Sequence, residues 1–355
     1  MLARAVIGAS MGDEGKGATV DYLCAKQGAG VVVRYNGGAN AGHTVVEPSG
    51  RRHVFSHVGS GAFLGVPTFL SQFFIINPVL FLKEVDELNK IGVRPLVFAH
   101  PSCLVTTFGD MIINQMREIS RGGKRHGSCG VGINETVNRS KLPRLTITMG
   151  DLWDGVPLVD KLVEICGKYS QFVTGSPIDN VEDMIEAFAK ACNIVAGLIH
   201  PAGMGECRDP IFEGAQGLLL DQDNREFFPH VTRSKTGMHN VRILCEQAGI
   251  KDIDVYYVSR TYLTRHGAGP LPGEDKNLSY HDDTNVPNDH QGSIRFAPLN
   301  QFALLERCNQ DAGNNRWGLV MTHCDQQAIS YQRLPILWSS GPTRMDFSTL
   351  SKKAA

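Results

Sequence analysis

The sequence lacks any long hydrophobic run. Among its 355 residues, no apolar stretch reaches the roughly 18 residues that a membrane-spanning helix needs. The opening segment, "MLARAVIGAS", is interrupted by glycine and then by acidic residues too soon to be typical of a signal peptide. We therefore expect a cytoplasmic protein.

Paired cysteines and excess charge are also missing. The nine cysteines include no CxxC pair, and their odd number and irregular spacing indicate free thiols in a reducing compartment rather than a disulfide framework or a metal cluster. The chain has 35 Lys and Arg residues against 36 Asp and Glu residues. This balance gives no general electrostatic reason to expect a nucleic-acid or membrane partner.

What the chain does contain is an alternation of short apolar segments with amphipathic ones, which is typical of parallel βαβ units. The predicted strands are "RAVIGA", "GVVVRYNGG", "RPLVFAHP", "DPIFEGAQG", "DVYYVSRTY" and "WGLVMTH", and the first predicted helices are "KGATVDYLCAKQG" and "NPVLFLKEVDELNKIG". Residues 156–202 predict an inserted helical layer, and the polar segment 273–292 is the best candidate for a mobile loop. We expect an α/β fold with a large, mostly parallel central sheet flanked by helices.

The strongest local signal is "AVIGASMGDEGKGATVDYL", in which a glycine-rich turn joins a predicted strand to a predicted helix. Such a turn presents backbone N–H groups to phosphate oxygens, and Lys16 would add a positive charge. The usual phosphate-binding loop has a Ser or Thr after Gly-Lys, whereas Gly17 stands here, and Asp13 and Glu14 lie inside the loop. The alternative interpretation is a glycine-rich turn with a solvated acidic pair.

Three more glycine-rich loops follow predicted strands or lie between predicted elements. They are "RYNGGANAGHTVV", "HGSCGVGINET" and "FEGAQGLLLDQD". Ligands of open α/β sheets bind at the carboxyl ends of the strands, so we expect these loops to converge on one cleft. Their number favours a substrate with several phosphates.

Six segments, taken in their order along the chain, resemble the conserved motifs of one protein family. "GDEGKG", "NAGHTVV", "FEGAQGLLLD", "FPHVTRSKTG", "YLTRHGAGPLPGE" and "SSGPTR" resemble the adenylosuccinate synthetases, over a similarity that runs from about Arg4 to Arg344. The resemblance implies the family's fold, which is related to that of P-loop GTPases, in a single domain over residues 1–355. It also implies a ligase that joins L-aspartate to C6 of a purine nucleoside monophosphate, with hydrolysis of a nucleoside triphosphate through a 6-phosphoryl intermediate.

The resemblance assigns catalytic roles to three residues. Asp13 would remove the N1 proton of the purine and also bind the cofactor Mg²⁺, with the backbone carbonyl of Gly42 as a second metal ligand. His43 would hydrogen-bond the transferring phosphoryl group, and Lys16 would stabilise the same charge. Glu14 either caps the following helix or tunes Asp13, and the sequence leaves both possibilities open.

The resemblance also implies three sets of binding residues and a homodimer. The nucleoside monophosphate would contact Asn40, Ser128, Cys129, Arg139, Gln216 and Thr232, with Arg139 reaching across the dimer interface. The triphosphate would contact Gly12, Glu14, Gly15, Lys16, Gly17, Gly42, Thr44, His323, Asp325, Ser340 and Gly341. L-Aspartate would contact Ser293 and Arg295.

The chain departs from the family pattern at several of these positions. In "THCD", His323 replaces the lysine that flanks guanine, and "NDHQGSIRFAPL" keeps only Arg295 of a run of arginines. Cys129 and Met11 stand where the family usually has Thr and Trp. These changes resemble the phage 2-aminoadenylosuccinate synthetases, which use dGMP, although some of those lack the acid that Asp13 supplies here.

Three functions follow from the resemblance. The preferred one uses dGMP, with ATP, dATP or GTP as donor, in the host cytoplasm of a bacteriophage. The alternatives are the housekeeping reaction with IMP and GTP, and a nucleotide-binding protein that has lost catalysis.

Overall fold

The computed structural model describes residues 1–170, 180–285 and 292–349. The strands within these ranges are β1 (Leu2–Gly8), β2 (Val31–Arg34), β3 (His43–Val46), β4 (Arg52–Phe55), β5 (Thr68–Leu70), β6 (Ile75–Ile76), β7 (Val97–Ala99), β8 (Leu104–Val105), β9 (Ile199–Pro201), β10 (Pro210–Gly217), β11 (Asp252–Arg260), β12 (Tyr262–Arg265), β13 (Arg295–Pro298), β14 (Arg316–Thr322), β15 (Leu337–Ser339) and β16 (Phe347–Thr349). The helices are α1 (Lys16–Gln27), α2 (Pro78–Lys90), α3 (Phe108–Ser120), α4 (Ile133–Arg139), α5 (Met149–Trp153), α6 (Leu158–Ser170), α7 (Val181–Leu198), α8 (Met238–Gln247) and α9 (Gln301–Ala312).

A ten-stranded sheet forms the centre of the fold, in the order β16-β15-β14-β11-β1-β10-β2-β5-β7-β9. Every neighbouring pair is parallel except β15 and β16. Parallel neighbours require crossover connections, and the helices between the strands supply them. The predicted α/β fold with a mostly parallel central sheet is confirmed.

Alternate residues of β1 show how the sheet is covered on both faces. Val6 belongs to a buried cluster with Val20 of α1, whereas Ile7 belongs to another with Leu244 of α8 and Leu304 of α9. Successive side chains of a strand point to opposite faces. The apolar run in β1 therefore reflects burial on both sides.

The predicted helical layer is present as α6 and α7, and its apolar residues share a core with α2 and α3. The prediction is wrong at its end, because Ile199–Pro201 forms the edge strand β9 beside β7. Pro201 has no backbone N–H and disfavours helical geometry in the residue before it, so the helix stops earlier than the apolar pattern suggests. Residues 171–179 of the layer and 286–291 of the polar segment lie outside the described residues.

The residues at which the first two helices begin follow known sequence preferences. Asn77 begins α2 by accepting a hydrogen bond from the backbone N–H of Leu80 at 3.1 Å, with Pro78 in the first helical position. Gly15 precedes α1 with φ at 92°, a left-handed conformation that glycine adopts without steric cost. None of the helices in the described ranges is both long and apolar enough to span a bilayer.

The topology brings five loops to one edge of the sheet. The adjacent parallel strands β14, β11, β1, β10 and β2 all end there, and β1 runs directly into the glycine-rich loop that precedes α1. This edge is where an open α/β sheet binds its ligands.

Candidate active site

The loop between β1 and α1, residues 9–15, is organised around the side chain of Glu14. Its carboxylate accepts hydrogen bonds from the backbone N–H groups of Ser10 at 3.0 Å and Gly12 at 2.8 Å, and it pairs with Lys16 Nζ at 2.7 Å. Gly15, without a side-chain cap, precedes α1, so Glu14 does not cap the helix. Burial raises the pKa of Asp13 most, and the negative charge of Glu14 adds to that shift. This effect on Asp13 is the second of the two possibilities that the sequence left open.

Two glycines make room for this inward-turned carboxylate. A Cβ atom on Gly8 would lie 2.5 Å from Glu14 Oε2, and one on Gly217 would lie 2.6 Å from Glu14 Oε1. Both distances are below any normal contact, so the ends of β1 and β10 must be glycine for Glu14 to sit beneath the loop. Because an ammonium group has three donors, Lys16 retains two beyond its bond to Glu14.

Asp13 faces the cavity from a left-handed conformation, with φ at 60°. Its backbone carbonyl accepts a hydrogen bond from Arg260 Nε at 2.5 Å, while its carboxylate makes no hydrogen bond or ion pair within the described part of the chain. Burial raises the pKa of this carboxyl above its ordinary value, and Arg260 and Lys16 oppose that shift. The result is an unpaired carboxylate that gains from a proton or a cation.

His43 lies on the other side of the cavity, at the start of β3, and is held from behind by Glu213. Its Nδ1 lies 2.7 Å from Glu213 Oε1. Glu213 also accepts hydrogen bonds from the backbone N–H of Ser60 at 3.0 Å and from the Ser60 hydroxyl. Burial lowers the pKa of His43, and the charge of Glu213 opposes that shift.

A cavity of about 460 Å³ lies in front of these groups. Its walls come from residues 13–18, 42–44, 46, 281–285, 322–323, 325–326, 339 and 341–342, together with Arg52 and Arg260. The residues predicted for catalysis and triphosphate binding that line it are Asp13, Glu14, Gly15, Lys16, Gly17, Gly42, His43, Thr44, His323, Asp325 and Gly341. Gly12 and Ser340 do not line it, and Ser339 takes the position that was predicted for Ser340.

Thr44 is unusual among the lining residues. Its Oγ1 atom is buried and has no hydrogen-bond partner within the described ranges. An unpaired buried hydroxyl costs free energy unless a ligand supplies the partner. This hydroxyl is therefore suited to a phosphate oxygen.

The "THCD" segment lies beside the phosphate loop. The Thr322 hydroxyl donates to the backbone carbonyl of Glu14 at 2.8 Å, and His323 Nδ1 lies 2.9 Å from that hydroxyl oxygen. The His323 ring packs edge-on against Tyr262, and burial followed by the charge of Arg260 lowers its pKa to about 3. His323 is thus a neutral ring, and Asp325 is the exposed acid next to it.

The residues predicted for the monophosphate do not line this cavity: Asn40 follows β2, Gln216 and Thr232 lie in or after β10, and Ser128 and Cys129 lie between α3 and α4. Gln216 has a positive φ of 63°, and Asn40 accepts the backbone N–H of Gly38 at 3.1 Å. The Ser128 hydroxyl donates to Asn114, and the Thr232 N–H donates to the backbone of Leu220. Burial raises the pKa of the Cys129 thiol to about 11, and the nearby negative charge of Asp13 adds to that shift.

Arg139 is engaged inside its own chain. Its guanidinium pairs with Asp110 at 2.9 Å and donates to the backbone carbonyls of Leu145 and Val105, and the side chain is buried. Its predicted contact with the monophosphate across a dimer interface stays a prediction.

The predicted aspartate-binding pair also does not reach the cavity. Arg295 bonds to Glu274 at 2.7 Å and to the backbone carbonyls of Gly267 and Gly269, so it braces a loop, and Ser293 is exposed. The arginine that the sequence analysis missed is Arg260, which lines the cavity and pairs with Asp282 at 2.8 Å. It is the last residue of β11, which the sheet places next to β1.

The residues fit a hard cation only in part. The Asp13 carboxylate and the Gly42 backbone are oxygen donors in one cavity. No group of three or more His, Cys, Asp or Glu side chains suited to a metal occurs in the residues that the structure describes. Mg²⁺ is commonly held by one or two carboxylates plus substrate phosphates and water, so this donor set suits an ion that arrives with a nucleotide.

Comparison with known proteins gives one consistent family. The family model described as adenylosuccinate synthetase matches residues 5–290. The adenylosuccinate synthetase of Xylella fastidiosa (strain 9a5c) is 33% identical over 283 residues, and that of Alkalilimnicola ehrlichii is 34% identical over 286 residues. Each match covers 76% of this chain and 64% of the relative, so the chain spans less than two thirds of the length of these curated relatives.

Two solved structures share the fold. A fully ligated adenylosuccinate synthetase from Plasmodium falciparum superposes with a TM-score of 0.75 at 17% identity, covering 98% of this chain and 99% of that one. The succinoaminodeoxyadenylate synthetase of cyanophage S-2L, bound to dGMP and dATP, superposes with a TM-score of 0.67 at 16% identity, covering 98% and 95%.

Proposed function

Because the chain belongs to the adenylosuccinate synthetase family, we propose that it is a ligase that joins L-aspartate to C6 of a 6-oxopurine nucleoside monophosphate. The observation that carries this proposal is the unpaired, raised-pKa carboxylate of Asp13 in the same cavity as Lys16 and His43. A base, a cation and an imidazole at one edge of the sheet suit proton removal coupled to phosphoryl transfer.

In the proposed reaction each of these residues has a separate role. The Asp13 carboxylate takes the N1 proton of the purine, and the O6 oxygen then attacks the γ-phosphorus while the nucleoside diphosphate leaves. Lys16, the backbone N–H groups of the loop and His43 offset the charge on the moving phosphoryl group. The amino group of L-aspartate then attacks C6, and the C6–O6 bond breaks to release inorganic phosphate.

Asp13 and Gly42 are the groups that would hold Mg²⁺. When bound, the ion would neutralise phosphate charge that the acids of the loop would otherwise repel. The Thr44 hydroxyl, which has no partner among the described residues, is placed to hydrogen-bond the same phosphates.

For the acceptor we propose dGMP, which gives the 2-amino succino-deoxynucleotide of a phage pathway. The fold shared with a cyanophage enzyme that was solved with dGMP and dATP supports this acceptor. For the donor we propose ATP or dATP, because a cavity wall with the neutral His323 in place of a lysine is less specific for guanine.

The second candidate is the reaction of IMP with GTP. It is favoured by Asp325, an acid in the cavity that can accept hydrogen bonds from guanine, and by the curated relatives, which are adenylosuccinate synthetases. A catalytically silent nucleotide-binding protein is the third, and the retention of both Asp13 and His43 in one cavity weighs against it. A homodimer in the cytoplasm accompanies each of these proposals, and light scattering tests the dimer.

The test is a matrix of IMP, GMP and dGMP against ATP, dATP and GTP, with L-aspartate and Mg²⁺. We expect aspartate-dependent phosphate release and a succino product, highest with dGMP and an adenine donor. Turnover with IMP and GTP alone would select the second candidate. Nucleotide binding without phosphate release in every cell of the matrix would select the third.

A further inference from the structure

Behind the candidate active site lies a buried charged cluster to which no role has yet been given. The cluster consists of Glu213 in β10, Arg34 at the end of β2 and Ser60, and its carboxylate contacts His43. The side chains of Glu213 and Arg34 are completely buried, with Arg34 Nη1 4.0 Å from Glu213 Oε2. Two nitrogens of Arg34, Nε and Nη2, have no partner within the described residues. Such a cluster is costly to bury, which makes a purely structural origin a poor explanation of its place beneath the site.

The geometry fixes which nitrogen of His43 carries a proton. Glu213 already accepts two bonds from Ser60 and lies 2.7 Å from His43 Nδ1. Burial alone would raise the pKa of Glu213, but His43, Arg34 and Ser60 together lower it to about 2. An ionised carboxylate can only accept, so Nδ1 is the donor, and in the neutral ring Nε2 carries the lone pair.

This arrangement leaves Nε2 without a partner in the described parts of the chain, on a ring that lines the cavity. The orientation of the ring, and hence the position of Nε2 relative to a ligand in the cavity, therefore depends on the Nδ1–H bond to Glu213.

We infer that Glu213 is a positioning residue for His43, which sets the Nδ1–H tautomer and aims Nε2 into the cavity, where the transferring phosphoryl group of the proposed reaction would lie. This inference rests on the proposed function for the phosphoryl step, whereas the tautomer itself is a property of the protein alone. Ser60 holds the carboxylate in register by its two hydrogen bonds.

The test is Glu213→Gln, which keeps the shape and removes the charge. We expect kcat to fall by roughly 10²-fold and KM for the triphosphate to change little, because the imidazole loses its orientation while the triphosphate keeps its other contacts. An unchanged kcat would overturn the inference.

A matched control exists elsewhere in the fold. Glu84 is also buried and lies 3.0 Å from Nδ1 of His57, but neither residue lines the cavity. Glu84→Gln should therefore lower the melting temperature as a buried charge change does, and leave kcat near the wild-type value. An equal fall in kcat in both variants would mean that Glu213 acts through stability alone.

A second measurement separates this inference from the proposed function. The ¹⁵N shifts of His43, assigned by their loss in His43→Gln, report the tautomer whether or not the protein turns over. We expect the Nδ1–H form in the wild-type protein and its loss in Glu213→Gln. If no substrate is turned over but this form is found, the proposed reaction fails and the positioning stands; the Nε2–H form in the wild-type protein overturns the positioning.

Discussion

Single residues at the edge of the sheet are held in conformations that ordinary side chains avoid. Asp13, Gln216 and His323 all have φ near +60°, and they follow β1, end β10 and follow β14, which lie close together in the sheet. Left-handed geometry at a non-glycine residue costs about 1–3 kcal/mol and concentrates at ligand sites. The strain therefore supports the assignment of this edge to binding.

We predict that replacing Asp13 by Asn raises the stability of the protein and lowers its activity. Its pKa in the folded protein is raised, first by burial, so the group favours folding below the ordinary aspartate pKa and loses that contribution as pH rises through the folded value. Asp13→Asn removes the buried charge. We expect a higher melting temperature at pH 8, a difference that shrinks on acidification, and turnover lowered by at least about 10²-fold.

Calorimetry from pH 4 to pH 8 checks this prediction. Asp86→Asn is a suitable control, because Asp86 is exposed and paired only with Lys90 on α2. A melting temperature of Asp13→Asn below that of the wild-type protein at pH 8 would contradict the account of Asp13.

Thr44 gives a second residue-scale prediction. Replacement by Val keeps the shape and deletes a buried hydroxyl that lacks a partner in the described residues. We expect Thr44→Val to be at least as stable as the wild-type protein without ligand, and to lose about 1 kcal/mol of the stabilisation that a triphosphate confers.

Thr136→Val is the matched control for Thr44→Val. The Thr136 hydroxyl is buried and bonds to Thr106 and to the backbone of Gly132, so its loss should destabilise the protein by about 1 kcal/mol with or without nucleotide. Thermal shifts measured with ATP, dATP and GTP compare the two. A full nucleotide-induced shift in Thr44→Val would remove Thr44 from the site.

Among the elements, the segment 281–285 is the part of the cavity wall that the sequence pattern does not reveal. Asp282 anchors it, because its carboxylate pairs with Arg260 at 2.8 Å and accepts the backbone N–H groups of Thr284 and Asn285. The Asp282 pKa lies well below its usual range: burial would raise it, and Arg260 and Asn285 overcome that effect. One ion pair thus ties the segment to the end of β11.

Asp282→Asn should loosen this wall. Losing the charge weakens the pairing with the buried guanidinium of Arg260, so we expect faster amide hydrogen exchange across 281–285 and lower stability. The neighbour Asp283 pairs with the exposed His281 and with no other side chain of the described residues, and Asp283→Asn should leave the exchange unchanged. Equal protection in Asp282→Asn and the wild-type protein would contradict the anchoring role.

The order of elements and the phosphate loop could be predicted from the sequence, because local pattern controls them. The run of β1, the glycines before α1 and the Asn77-Pro78 start of α2 are local signals, and each was confirmed. The partners of a long side chain are not local. Arg139 pairs with Asp110, 29 residues away, and Arg295 pairs with Glu274, 21 residues away.

Residues supplied by the sheet itself were harder to find than residues in the loops. Glu213 stands three positions before the predicted Gln216, yet a glutamate within an apolar strand gives no hint of the histidine that it contacts. Arg260 becomes visible only when the strand order places the end of β11 beside β1. Both required the tertiary structure.

At the scale of the whole molecule, the parallel strands bring Asp13, His43 and the loop between β1 and α1 to one cavity. The central claim is the proposal that the O6 oxygen of a purine attacks phosphorus there before aspartate displaces it. The fate of that oxygen would be the most direct record of such a reaction.

The decisive measurement uses a purine monophosphate labelled with ¹⁸O at O6, together with a donor triphosphate and L-aspartate. We predict one ¹⁸O atom in each inorganic phosphate released, in equal amount to the succino product, and none with Asp13→Asn. Unlabelled phosphate from the wild-type protein, or phosphate release that does not need the monophosphate, would contradict the claim.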